Sequence, residues 1–255
     1  DGRARFVDVA FKPVAEPRDA RFPFALNTGR LRDQWYGMSR TGQVGRLFGH
    51  APEPSVELHA QDMARLRIAE GELVQLTSRR GTLLAPARAS EQVSSMQAYV
   101  AMHWGDEFLS GADAQGRRLP GVNGLTSAAY CPQSKQPELK HAAVQVTKVA
   151  LPWRLVAAAW CSDEQALAAR AALTGLMPLF AFASCVPFGR QRSGVLFRAA
   201  AAQPADAALL ERIESLLGMD QPNALHYADA RRGQRRSVRL GARGADTVLQ
   251  AFLLA

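Results

Sequence analysis

The chain has 255 residues, room for one large domain or two of ordinary size, and its 47% apolar and 21% charged content is that of a globular protein with a real core. A formal charge of +8 and a pI near 10.0 point to an anionic partner, whether nucleic acid, a phosphorylated cofactor or an acidic protein surface. Cys131, Cys161 and Cys185 form no CxxC pair, which excludes a cysteine-held zinc or iron–sulfur centre here and suits a reducing compartment, and no apolar run reaches membrane-spanning length.

Residues 1–21 read as a lead-in without a Met start or a signal sequence, and the last residues stop inside an apolar run, so both ends look cut from a longer polypeptide. From 22 onward a hydrophobic strand runs into Asn27-Thr28-Gly29-Arg30. Gly29 allows a ligand close to the backbone, Arg30 and Arg32 offer planar charged forks for phosphate oxygens, and Thr28, Ser39 and Thr41 add hydroxyls. Trp35, Tyr36 and Gly37 follow with flat faces and an open backbone, a kit that fits a large, anionic, partly aromatic ligand; a tight turn with a solvated Arg is the plainer alternative.

A helix is expected over His59 to Arg67. Strands are expected at Leu73 to Ser78, Thr82 to Ala89, Gln97 to His103 and Ala142 to Val149. Many short strands with Gly and Pro punctuation argue for a closed β-barrel up to about residue 152. Beyond it, Trp153 to Trp160 reads as a strand, and Ser162 with Gln165 opens an alanine-rich helix. Strands at Leu179 to Val186 and Gly194 to Ala200, a helix at Asp206 to Leu217, and strands at Leu225 to Tyr227 and Arg236 to Leu240 complete a split βαβ order.

A second polar block, Val122 to Lys140, precedes the last barrel strand; Asn123 carries both amide donor and acceptor, and Lys135 and Lys140 are point charges for phosphate. Both blocks carry phosphate- and ring-binding chemistry, so the loops are expected on one rim of the barrel. Of the histidines only His103 falls near such a site, and its strand position favours a satisfied core histidine. Arg231 to Arg236 could bind nucleic acid or an acidic partner, but a solvated hairpin is the simpler reading.

The ordered blocks LNTGRLRDQWYGMSRTG, MHWGDE and NGLTSAAYCPQSKQPELKHAAVQV resemble the C-terminal, molybdopterin dinucleotide-binding region of molybdopterin oxidoreductases, and among them bacterial assimilatory nitrate reductases. The resemblance covers roughly residues 20–152 and implies a six-stranded double-psi β-barrel over 22–152. Residues 153–255 would form a smaller α+β accessory domain of split βαβ, ferredoxin-like type, cut at its C-terminus. It implies binding of a bis-molybdopterin guanine dinucleotide with molybdenum, shared with upstream domains of the same polypeptide, and a 4Fe-4S cluster upstream. Thr28, Gly29, Arg30, Trp35, Tyr36 and Gly37 would then meet pterin and phosphates, Trp104 would stand beside the cofactor, Asn123 would hydrogen-bond it, and Lys140 would reach a phosphate or carbonyl. Where relatives have Asp, this chain has Cys131, and one turn-capping acceptor is expected to be lost. The resemblance places no catalytic residue and no metal ligand in this piece. It implies a cytoplasmic enzyme reducing nitrate with electrons from ferredoxin or a flavoprotein, and no nucleic-acid or membrane partner. A formate dehydrogenase or other molybdopterin oxidoreductase is the alternative, and a stand-alone basic binding module is a second one from a different class.

Overall fold

The computed structural model of the chain describes residues 2–4, 6, 8, 10–111, 117–138, 140–229, 231–244 and 246–255; Leu139 of the SKQPELK pattern lies outside them. The barrel part consists of β1 (Phe24–Gly29), β2 (Val56–Leu58), α1 (Ala60–Leu66), β3 (Leu73–Thr77), β4 (Thr82–Ala89), β5 (Gln97–Ala101), β6 (Leu109–Gly111) and β7 (His141–Lys148). Six of these strands close in the order β1-β5-β2-β4-β3-β7. The β1–β5 and β2–β4 pairs are parallel and the others antiparallel, the mixed closure of the expected double-psi barrel. Alternation sends Phe24, Leu26 and Thr28 of β1 inward, onto a core with Leu58, Leu76, Val100 and Val144. β1 extends through Asn27, Thr28 and Gly29, so these residues pair in the ladder rather than forming the turn after it.

α1 begins and ends where its sequence dictates. His59 caps it, Nδ1 accepting the Gln61 amide at 3.2 Å, and Arg67 closes it in the left-handed region (φ 56). Asp62 is buried, and its carboxylate accepts the Met96 amide at 2.6 Å and the Ser95 hydroxyl at 3.1 Å. That fixes the entry to β5, where Met96 itself sits at φ 62.

The remaining elements are β8 (Trp153–Cys161), α2 (Asp163–Thr174), β9 (Phe182–Phe188), β10 (Ser193–Ala201), α3 (Ala207–Leu216), β11 (Ala224–Asp229), β12 (Gln234–Arg243) and β13 (Asp246–Leu254). The expected capping box is present, with Ser162 and Gln165 exchanging bonds at 3.3 and 3.2 Å. The sheet runs β11-β12-β13-β8-β10-β9-β6. Its β13-β8-β10-β9 portion is the split βαβ arrangement, with α2 and α3 packing Leu173, Leu210, Ile213 and Leu217 against Ala157, Phe197 and Leu253. The fourth strand of that arrangement is β13, not the strands expected around Leu225 and Arg236. Those two form an antiparallel extension beyond it.

Backbone hydrogen bonds draw the segment between β5 and β7 into the sheet. β6 pairs antiparallel with β9, setting Leu109 opposite Ser184 and Gly111 opposite Phe182, and the Cys185 amide donates to the Phe108 carbonyl at 3.0 Å. Arg198 of β10 holds Glu53, with Nη2 3.0 Å from Oε1.

Candidate cofactor-binding rim

Strand direction decides which loops meet. β1 and β5 run parallel, with Gly29 opposite Ala101, so the chain leaves both strands at the same end of the barrel. β7 runs against β1 and begins there, with His141 opposite Asn27. The loop after Gly29, the His103-Trp104 turn and the loop ending at Lys140 therefore share one rim, as expected from their chemistry. The β3–β4 turn closes that rim: Arg80 Nε donates to the Thr126 carbonyl at 2.7 Å, and Gly81 lies so near Gly124 that a Cβ would come within 2.7 Å of its carbonyl oxygen. At Gly121 a Cβ would meet the Trp104 carbonyl at 2.6 Å, so the second and third motif blocks are pressed together as well.

The loop after β1 is shaped by one buried residue. Met38, at φ 52 and 2% exposed, plugs inward, while the Trp35 amide donates to Thr41 Oγ1 at 3.1 Å. Trp35 and Tyr36 are thereby turned outward, 58% and 57% exposed, edge to face with centroids 5.2 Å apart. Such a pair presents flat apolar area that a ring system can cover. Gly37 has open space around it, so packing does not demand a glycine there. Gly29 is different, since a Cβ would lie 3.1 Å from the Tyr99 ring beneath it. Its lack of a side chain serves that internal contact. Thr28 is buried.

Charge sorting separates the basic residues. Arg32 is bound by neighbouring Asp33 at 2.9 Å, Arg79 by Asp19, and Arg80 by Glu16 at 2.8 Å. Those cations are already neutralised, Arg32 among them despite its suitability on paper. Arg30 instead lies over the Tyr36 ring at 5.5 Å, and Lys135 over Tyr130 at 5.4 Å. Lys140 is exposed beside the start of β7, and Asn123 is exposed on a short 3-10 turn, Val122–Leu125. Arg30 and Lys140 are thus the rim cations best placed to answer an external anion.

Trp104, expected to stand beside the cofactor, is an interior residue of this rim. It is 2% exposed and packs against Phe48 and Phe108, reaching the surface only where it lines a cavity of about 430 Å³ together with Leu31 and Tyr99. His103 is the satisfied core histidine that the sequence favoured, and its bonds shape the rim. It is buried, its Nε2 accepts the Leu31 amide at 3.1 Å, and its Nδ1 lies 3.0 Å from the Tyr36 carbonyl. The imidazole spans the loop after β1 from base to tip. Burial pushes its pKa below the ordinary value, the Arg30 charge adds to this, and the Tyr36 carbonyl opposes it.

Cys131 retains part of the capping function expected to be lost, because its Sγ accepts the Ser134 amide at 3.5 Å. Hydrogen bonding from the Ser134 side chain, and after it from the Ser134 and Gln133 amides, holds the thiol below its usual pKa. Among the described residues no group of three or more His, Cys, Asp and Glu is arranged to hold a metal ion. The rim therefore offers hydrogen-bond donors, exposed cations and an aromatic face, a set that suits a phosphate-bearing ring compound.

A family profile described as "Molydopterin dinucleotide binding domain" matches residues 24–143, the stretch that builds the barrel and its rim. A nitrate reductase of Klebsiella oxytoca is 39% identical over 154 residues, 60% of this chain and 17% of that protein. A nitrate reductase of Symbiobacterium thermophilum is 38% identical over 148 residues, 58% of this chain and 18% of its own length. The F420-dependent formate dehydrogenase 2 subunit alpha of Methanococcus maripaludis is 34% identical over 149 residues, 58% of this chain and 20% of its own. The chain thus spans a fifth or less of the length of these relatives. With the sequence match falling on the stretch whose loops converge at the rim, residues 24–143 belong to the molybdopterin dinucleotide-binding domain family.

Proposed function

We propose that this chain is the cofactor-closing C-terminal part of an assimilatory nitrate reductase, acting in the cytoplasm on nitrate and releasing nitrite. The observation that carries the reading is the convergence of three motif blocks on one rim, in a chain whose matched stretch is 38–39% identical to two nitrate reductases. When bound, a bis-molybdopterin guanine dinucleotide with molybdenum supplies the redox and oxygen-transfer chemistry, and this chain's residues hold it. Arg30 and Lys140 answer its anionic groups, Asn123 supplies an amide for hydrogen bonding, and Trp35 and Tyr36 cover ring surface. His103 keeps the first of these loops in shape. Upstream domains of the same polypeptide would carry the rest of the cofactor cradle, a 4Fe-4S cluster and the nitrate funnel, with ferredoxin or a flavoprotein as electron donor.

The similarity to a formate dehydrogenase subunit supports a second reading, in which the same rim closes over the same cofactor but the substrate is formate. Purified full-length protein decides between them. Nitrite formation from nitrate with a reduced dye, and no dye reduction by formate, is the expected result; the reverse pattern would replace the first reading by the second. A CxxC-x3-C motif in the upstream sequence is expected under both.

A further inference from the structure

A cavity of about 530 Å³ separates residues 40–46 from the β9–β10 hairpin and α2. Arg40, Arg46, Arg170 and Arg190 line it, against a single carboxylate, Asp163. Asp163 is already engaged by the Ser193 hydroxyl. The walls are set by close packing: a Cβ on Gly45 would stand 2.4 Å from the Phe188 carbonyl oxygen, and Gly189, at φ +107, turns the hairpin that carries Arg190.

Arg170 is the informative member. Its side chain is 13% exposed, its guanidinium lies over the Phe108 ring at 4.4 Å, and its buried Nε has no hydrogen-bond partner among the described residues. The nearest carboxylate, Glu107, is 3.9 Å away and largely solvated. A stacked ring satisfies the face of a guanidinium and leaves its in-plane donors open, and a buried donor without an acceptor is costly. Burial also holds this guanidinium below its ordinary pKa. Planar, in-plane donors of this kind match oxyanions.

We infer that this cavity is a second anion site, distinct from the rim, for a small phosphate-bearing ligand. Four arginines supply the charge, and Leu167 and Phe188 an apolar wall for an organic body. The volume lies within the roughly 300–1,000 Å³ usual for small-ligand pockets.

The test is calorimetric titration of the full-length protein at low ionic strength with inorganic phosphate, and separately with a nucleoside diphosphate. Saturable phosphate binding is expected, reduced about tenfold by Arg46→Gln and by Arg190→Gln and unchanged by Arg30→Ala. Both glutamine variants lie at exposed positions and should keep the parent melting temperature in the absence of ligand. Arg170→Met removes the buried donor but also the stacking on Phe108, so it is secondary to those two. Diphosphate binding tighter than phosphate, with the same loss in Arg46→Gln and Arg190→Gln, would identify the ligand as nucleotide-like; equal binding would identify it as the free oxyanion. No saturable binding of phosphate, or binding abolished by Arg30→Ala and untouched by Arg46→Gln and Arg190→Gln, would overturn the inference.

Discussion

His103 Nδ1 stands 3.0 Å from the Tyr36 carbonyl oxygen, so the turn after β5 fastens the tip of the loop after β1. Since Nε2 accepts the Leu31 amide, the ring must be neutral with its proton on Nδ1; a second proton would set two N–H groups against each other. The folded pKa lies below the ordinary 6.5, so the bond's contribution is complete above about pH 6.5 and is lost as pH falls from there through the folded value. Thermal unfolding of the parent should steepen in its pH dependence below 6.5, and His103→Gln should flatten that region while costing about 1–2 kcal/mol at neutral pH. Superimposable pH profiles for parent and variant would remove His103 as the titrating clamp.

Arg30 and Lys140 lack carboxylate partners among the described residues, whereas Arg32 is held by Asp33. Arg30→Ala and Lys140→Ala in the full-length protein should therefore each weaken cofactor retention by about 1.5–3 kcal/mol, the usual range for a charge-assisted bond. Arg32→Ala should change it far less. Molybdenum per mole of purified protein is the measurement, and equal losses for all three variants would mean that general charge, not these contacts, governs retention.

The three thiols should react in a fixed order. Cys131 is partly exposed and its pKa is held down by its contacts with Ser134, whereas burial pushes Cys161 up and Cys185 to about 12. Thiolate is the reactive form, so alkylation at neutral pH should label Cys131 first, Cys161 much later and Cys185 only on unfolding. Mass spectrometry over a time course reads the order; early labelling of Cys185 would contradict its burial.

Arg235 was expected to face solvent in a docking hairpin, but it turns inward. Its Nε is 2.8 Å from Glu214 Oε1 and its side chain is 17% exposed, while Glu214 also accepts the buried Ser237 hydroxyl. Burial raises the Glu214 pKa, but bonds from Arg235 and Ser237 outweigh it and hold the carboxyl below its usual range. Stability from this pair is thus present above the ordinary carboxyl value and lost as pH falls through the folded one. Arg235→Ala leaves a buried carboxylate without its guanidinium partner and should cost about 3 kcal/mol in chemical denaturation, whereas Arg232→Ala should stay within about 0.5 kcal/mol. Equal small effects would show that the pair is solvated in solution.

Short-range patterns carried most of the fold. Alternation marked β3 and β7, the Ser162–Gln165 box marked α2, and His59 with Arg67 bracketed α1. What escaped depended on distant partners. β2 and β6 have three residues each, too few to show a period, and exist because β4, β5 and β9 offer them ladder bonds. β13 hides its alternation in Leu249-Gln-Ala-Phe-Leu-Leu254, where the buried members are Ala251 and Leu253. The inward turn of Arg235 was invisible because Glu214, its partner, lies on α3. At the rim, motif chemistry marked the loops, but only the fold shows that Arg32 is neutralised, that Trp104 is buried and that His103 is the clamp.

The pairing of β6 with β9 reaches further than its three residues. It fastens the chain segment between β5 and β7 into the sheet by backbone bonds, so barrel and sheet cannot part at that seam without stranding the Phe108 carbonyl and the amides facing Ser184 and Phe182. A molecule seated on the rim favours the folded barrel by mass action, and through this seam the same free energy is shared with the sheet. Occupancy at one end of the molecule is then felt as resistance to unfolding at the other, and proteolytic survival of β8 to β13 becomes a readout of whether the rim is filled.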